Sequence, residues 1–229
     1  INRILTDSVA DLLLTPSPDG DQNLLAEGVS QKRIYRVGNV MIDSLFTNLQ
    51  QSKSSKIHEE LGIPSDYAIL TLHRPSNVDN KENFSGIIGA LEKIGNEIQL
   101  VFPVHPRTEK MAKSFGLYQR LSAIPNIILT GPVGYLDFVA LMAKSKMALT
   151  DSGGLQEETT ALGIPCITLR ENTERPITVT EGTNTIVGCD PELIVKTAFE
   201  VLGGEGKAGR IPELWDGKTS SRIADVILQ

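Results

Sequence analysis

The chain has 229 residues, 40% of them hydrophobic and 22% charged, which suits a globular protein of one large domain or two small ones. A net charge of −6 and a pI near 5.2 argue against a nucleic-acid surface, but not against a local anion site built from a few oriented N–H groups and one or two arginines. No stretch approaches the ~20 apolar residues of a membrane span and no signal peptide is evident, so the expected location is cytoplasmic, with no membrane partner.

In chain order, the apolar run 9–14 reads as a strand ended by Thr15-Pro16-Ser17-Pro18, and residues 21–27 as a short helix closed by Gly28. Residues 33–37 read as a second strand. Val40, Met41, Leu45, Phe46 and Leu49 fall at helical spacing. The Ser/Lys-rich stretch 50–58 reads as a helix end and linker, with His58 on the surface. A regular alternation follows: strands at 67–72, 98–104, 126–129, 147–149 and 166–169 with helices at 81–94, 109–115, 135–143 and 155–162 between them, then a strand at 184–187, a helix at 191–201 and a last helix at 220–228. Continuous apolar strands alternating with helices predict an α/β fold: a Rossmann-like parallel sheet with helices on both faces, binding ligands beyond the carboxyl ends of its strands.

The strand ends carry His73-Arg74, His105-Pro106-Arg107, Gly131-Pro132-Val133, Asp151-Ser152-Gly153-Gly154 and the charged loop 170–175. Buried parallel strands have no structural need for that grouping. Ser152-Gly153-Gly154 opening a helix is a ready anion site: glycine admits a close backbone approach, and free N–H groups and the helix dipole favour negative charge. The bland alternative is a Ser N-cap with Glu157 and Glu158 in the first turns. A carboxylate there also suits ribose or sugar hydroxyls. His73 could contact phosphate or exchange a proton, or simply lie in a loop. His105 could act likewise, or orient its loop through a backbone hydrogen bond. Arg175 could bind diphosphate oxygens, or pair with Glu171 or Glu174. Phe138 could stack on a base, or sit in the core. The cysteines, Cys166 and Cys189, form neither a disulfide framework nor a metal spacing, and Cys166 reads as a core residue. There is no GxGxxG, Walker loop, Ser-His-Asp arrangement or metal cluster, so no cofactor and no metal are expected. The residues alone support an α/β domain that binds a phosphorylated or nucleotide ligand.

The segments TLHRPSNVDN, FPVHPRT, LTDSGGLQEETTALGIPCITLRENTERPITVTEGTN and WDGKTSSRI, with Asn2-Arg3 and the VGN-x-x-ID pattern at 37–43, resemble the C-terminal domain of the non-hydrolysing UDP-N-acetylglucosamine 2-epimerases, in order and across almost the whole chain. The resemblance implies half of a GT-B-like, two-domain enzyme that eliminates UDP from UDP-GlcNAc to give a 2-acetamidoglucal and re-adds it to give UDP-ManNAc. It implies that Ser152, Gly153 and Gly154 hold the diphosphate, Glu158 the ribose, and Phe138 with the Val133 backbone the uracil. His73 is the implied catalytic residue, with Arg175 also at the phosphates. Arg74 and His105 match a possible activator site for a second UDP-GlcNAc. The implied partners are UDP-GlcNAc and UDP, with a homodimer for the full-length protein. The implied division is 1–20 as the tail of an N-terminal domain, 21–212 as the Rossmann-like UDP-binding domain, and 213–229 as a C-terminal helix packing back on the N-terminal domain, which would leave Trp215 and the face of 220–228 exposed or packed differently if that domain is missing.

The family pattern HRREN stands here as His73-Arg74-Pro75-Ser76-Asn77, which puts the activator site in question. The family's acidic catalytic residues precede Asn2-Arg3, so the expectation is that this chain binds UDP weakly and is inactive alone. The alternatives are a hydrolysing 2-epimerase, a GT-B glycosyltransferase, or a UDP-sugar-binding module without turnover.

Overall fold

The structure is a computed structural model that describes residues 1–63 and 66–228. A small parallel pair, β1 (Leu13–Thr15) and β2 (Ile34–Arg36), lies beside a six-stranded sheet. The sheet contains β3 (Tyr67–Thr71), β4 (Gln99–Pro103), β5 (Ile127–Thr130), β6 (Met147–Thr150), β7 (Cys166–Thr168) and β8 (Asn184–Ile186). Its order is β5-β4-β3-β6-β7-β8, and every pairing is parallel. Numbered within the sheet, this is the doubly wound order 3-2-1-4-5-6, whose direction of growth reverses between β3 and β6.

The strands are apolar throughout because each of their two faces meets a different layer. Ala68, Leu70 and Leu72, Leu100, Phe102 and Val104, and Met147 and Leu149 point to one core, shared with Phe84, Ile87, Ile88 and Leu91 of the helix Lys81–Ile94 and with Ile194 and Ala198 of the helix Pro191–Leu202. Tyr67, Ile69, Val101 and Ala148 point to the other, with Ile42 and Leu45 of the helix Val40–Ser52 and Val139 to Met142 of the helix Tyr135–Lys144. That is the period-2 alternation of a strand read from both sides. Each buried Leu or Ile contributes about 1.5–3 kcal/mol.

The structure departs from the sequence reading, or decides between its alternatives, at several places. The run 9–14 is not one strand: the helix Asn2–Val9 ends at the first residue of the run, and β1 begins only at Leu13 and takes in Thr15. The stretch 50–58 is not a linker: the helix runs on to Ser52, a turn of helix Ile57–Glu60 follows, and Ile57 is buried. His58 is half-buried rather than a surface residue. Its Nε2 lies 2.8 Å from the Tyr67 hydroxyl, which donates to the Leu141 carbonyl. Trp215 is 1% exposed: it fills the second core, and its indole N–H donates to the Pro16 carbonyl at 2.9 Å. Short helices at Pro75–Val78, Tyr118–Ser122 and Pro176–Thr180 had no periodic signal long enough to read.

Asp43, from the VGN-x-x-ID pattern, reaches the start of the last helix, Thr219–Ile227, and accepts from Thr219 N (3.0 Å), Ser220 N (2.7 Å) and Ser220 Oγ (2.8 Å). It caps a helix some 176 residues away, whose own preceding residue, Lys218, supplies no cap. Gly38 sits at φ +95°, and a Cβ there would strike the Leu214 carbonyl oxygen, so this close approach of the two segments requires glycine.

Candidate functional site

β6 ends at Thr150, and the chain turns through Asp151 and Ser152 into the helix Gly153–Leu162, which ends on Gly163 at φ 71°. Ser152 occupies the N-cap position but makes no side-chain cap bond, and its own N–H donates to Thr150 Oγ1 at 2.9 Å. The bland reading of Ser152 as a cap is therefore not what the structure has. The first N–H groups of the helix are left without a side-chain acceptor, the condition for an anion site. A Cβ at Gly154 would meet nothing within 4 Å, and one at Gly153 would only graze Glu174 at 4.0 Å. Protein packing does not demand these glycines; open space in front of them does suit a ligand.

That space is a cavity of about 350 Å³ at the reversal point between β3 and β6. His73, His105, Val133, Phe138, Ser152, Gly154 and Glu158 all line it, joined by Thr71, Leu72, Pro103, Val104, Pro132, Tyr135 and Leu155. The His73 and His105 rings lie 5.7 Å apart. His105 also caps the helix Pro106–Ser114, its Nδ1 accepting from Arg107 N at 3.1 Å, so the loop-orienting role is present alongside any contact with a ligand.

Gly153, Arg74 and Arg175 are not among the lining residues. Arg175 pairs through Nε with Glu157 Oε1 at 2.8 Å, not with the carboxylate of Glu171 or Glu174, and its Nη1 donates to the Glu174 backbone carbonyl at 3.3 Å; the Glu174 carboxylate is held by Arg170 at 2.6 and 2.8 Å. The Arg170 guanidinium holds the Glu174 carboxyl far below the usual range, at about 2. Arg74 donates its backbone N–H to Asp151 Oδ2 at 2.8 Å, and its buried Nε has no hydrogen-bond partner.

The paired acids have separate duties. Glu157 accepts from Asn39 Nδ2 (3.0 Å) and Arg175, tying the start of the helix Val40–Ser52 to the loop after β7. Burial raises its carboxyl against the opposing pull of Arg175 and Asn39. Glu158 faces the cavity and accepts from the Tyr135 hydroxyl at 2.7 Å. Burial raises it too, only partly offset by that hydrogen bond. Gln156, fully buried, donates to Ser152 O at 3.1 Å and accepts from Thr173 Oγ1 and from Asn184 Nδ2 (3.2 Å), so the glycine turn is braced by the loop after β7 and by β8.

The sequence reading missed Tyr135 and passed over Asp151 and Gln156. Tyr135 stands three residues before Phe138 on one helix, so both fall on the same face, a signal that was available. Asp151 has none of its exposure left to betray it: its carboxylate is fully buried and accepts from His73 N, Arg74 N and Asn77 Nδ2, with His73 Nδ1 2.9 Å away. Cys166 is buried as expected, and burial pushes its thiol up to about 11. Among the described residues no cluster of three or more His, Cys, Asp or Glu could hold a metal ion, and no helix is long and apolar enough to cross a membrane.

A doubly wound parallel sheet with a largely apolar cavity, edged by a few polar side chains, at its reversal point defines an α/β unit of the GT-B-like kind. Residues 1–228 match the family model described as UDP-N-acetylglucosamine 2-epimerase, and the chain belongs to that family. It is 39% identical over 233 residues to the UDP-N-acetylglucosamine 2-epimerase of Methanocaldococcus jannaschii, covering 99% of this chain and 63% of that protein. It is 37% identical to the UDP-2,3-diacetamido-2,3-dideoxy-D-glucuronate 2-epimerase of Pseudomonas aeruginosa, with 99% and 62% covered. The crystal structure of the M. jannaschii UDP-GlcNAc 2-epimerase in complex with UDP-GlcNAc and UDP superposes with a TM-score of 0.88 at 38% identity, over 99% of this chain and 63% of that one. The chain thus spans less than two thirds of the length of these relatives.

Proposed function

We propose that this chain is the UDP-binding half of a UDP-N-acetylglucosamine 2-epimerase. The single observation that carries the reading is the convergence of His73, Val133, Phe138, Ser152, Gly154 and Glu158 on one cavity in a member of this family. The uncapped helix start at Ser152-Gly153-Gly154 receives the diphosphate, Glu158 accepts from ribose hydroxyls, and Phe138 beside Val133 takes the uracil. Arg175 swings from Glu157 to the phosphates, which its 41% side-chain exposure permits. Arg74 and His105 belong to a possible second UDP-GlcNAc site.

In the whole protein the reaction interconverts UDP-GlcNAc and UDP-ManNAc. The C1–O bond breaks with its electron pair on the β-phosphoryl oxygen, the C2 proton leaves to a base, and a 2-acetamidoglucal forms; re-addition of UDP and a proton on the opposite face inverts C2. Charge developing on the diphosphate is what helix N–H groups, His73 and Arg175 can stabilise. The base belongs to a further domain, supported by the partial coverage of the relatives and by the exposure of Ile4, Leu5 and Val9 in the first 20 residues and of Ile227 in the last helix. The family match favours this reading over a glycosyltransferase or a module without turnover. A cytoplasmic homodimer using no cofactor completes the proposal.

Calorimetric titration with UDP tests it. Binding in the millimolar range or tighter, −4.1 kcal/mol or more favourable, is expected, and Ser152→Trp, which fills the glycine turn, should abolish it. No heat from a folded chain at millimolar UDP would overturn the assignment of this cavity.

A further inference from the structure

The Asp151 carboxylate is fully buried and receives hydrogen bonds on both oxygens. Oδ2 accepts from His73 N at 2.9 Å, Arg74 N at 2.8 Å and Asn77 Nδ2 at 3.1 Å; Oδ1 lies 3.1 Å from His73 N and 2.9 Å from His73 Nδ1. The two backbone N–H groups can only donate. The Asn77 amide is fixed in its orientation, because Nδ2 also donates to the Leu169 carbonyl at 2.8 Å and Oδ1 accepts from Cys189 Sγ at 3.1 Å. Every neighbour of known polarity is thus a donor, and a carboxylate offers only acceptors. The fourth partner, His73 Nδ1, must carry a proton to sit 2.9 Å from it. Nδ1 is thereby committed, and Nε2 is the ring nitrogen left to the cavity that His73 lines.

We propose that Asp151 is the positioning residue for His73: it holds the proton on Nδ1 and aims Nε2 at the ligand as the one nitrogen that exchanges a proton with the departing phosphate. This role rests on the proposed function for the identity of the ligand, though the ring geometry does not. Protonated at Nε2, the ring passes that proton to the β-phosphoryl oxygen as the C1–O bond breaks, and is left as the neutral Nδ1–H imidazole; re-addition returns the proton. The same carboxylate fixes the backbone of His73 and Arg74 where β3 ends, so ring orientation and tautomer are set by one group.

Replacing Asp151 by Asn makes a specific prediction. The asparagine oxygen must take the Oδ2 seat, where three N–H groups converge, which turns its NH₂ toward His73 Nδ1. Nδ1 then becomes an acceptor, and the neutral ring must carry its proton on Nε2 instead. Nitrogen–proton NMR correlation of histidine-labelled protein near neutral pH reads this directly, with His73→Gln identifying the His73 signals beside those of His58 and His105. The expected result is a proton on Nδ1 in the wild type and on Nε2 in Asp151→Asn, with Nε2 of the wild type shifting when UDP binds. A wild-type Nε2–H tautomer overturns the proposal even if Asp151→Asn does not fold. So does a folded Asp151→Asn protein with its proton still on Nδ1, or UDP that binds by calorimetry without moving Nε2. If UDP does not bind at all, it is the nucleotide assignment that falls, and the wild-type tautomer still decides the Asp151–His73 relationship.

Discussion

The Tyr135 hydroxyl donates to Glu158 Oε1 at 2.7 Å across the mouth of the cavity. One helix supplies the donor and the helix after the glycine turn supplies the acceptor, so the carboxylate expected to meet ribose is already oriented before any ligand arrives. Tyr135 is itself held high in pKa by burial and by this neighbour, and stays a donor across the working range.

Glu158→Gln separates stability from binding. Burial raises the Glu158 carboxyl above its ordinary 4.5, so the ionised form disfavours the folded state. The sign follows: below about 4.5 the group is protonated in both states and contributes nothing, and as pH rises from there through the folded value it becomes destabilising. Gln can still accept from Tyr135. The variant should therefore match the wild type in thermal midpoint in acid and equal or exceed it at pH 7, while losing UDP affinity by about 1.5–3 kcal/mol, the worth of hydrogen bonds to a charged group. Melting curves at the two pH values with parallel calorimetry check both halves; a variant less stable only at pH 7 would contradict the account.

Phe138→Ala should weaken UDP by about 1–3 kcal/mol, the range for a base stacked on an aromatic ring. Phe138 lies on the margin of the second core rather than inside it, so the fold should survive. Competition with inorganic diphosphate, which has no base, is the control: its affinity should not change. Equal loss for both ligands would place the effect on the glycine turn and not on stacking.

Asp43→Ala removes the cap on the helix Thr219–Ile227 and should cost about 0.5–2 kcal/mol in urea unfolding. Burial alone would raise the Asp43 carboxyl, but hydrogen bonds from Ser220 and Thr219 outweigh it and lower the group below its ordinary 3.8. A lowered folded value means the stabilisation is present above 3.8 and is lost as pH falls through the folded value. The difference between wild type and variant should thus shrink in strong acid and be constant from pH 5 upward.

What could be read from the chain was what is local. Strands such as Tyr67–Thr71 and Met147–Thr150 are apolar on both faces and bounded by turn residues, so the parallel sheet and its polar edge followed. The Ser152-Gly153-Gly154 turn was legible because strand, turn and helix are contiguous. The partner of Arg175 was not: Glu171 and Glu174 are near in sequence, whereas Glu157, the residue it pairs with, is brought in by the fold. The same holds for His58, whose polar surroundings in sequence gave no hint of Tyr67. For Trp215 the sequence leaves exposure and a different packing open, and the structure decides for packing: it lies in the second core of this chain.

The contact between His73 and Asp151 closes a gap of 78 residues. The cavity is complete only when β6 lies beside β3, whose other neighbour in the sheet is β4. Pairings between segments this far apart in sequence are the ones expected to form slowly. A ligand that spans the two strand ends therefore cannot template the early chain; it can only latch the finished one. Its signature would be a slower rate of unfolding with an unchanged rate of refolding.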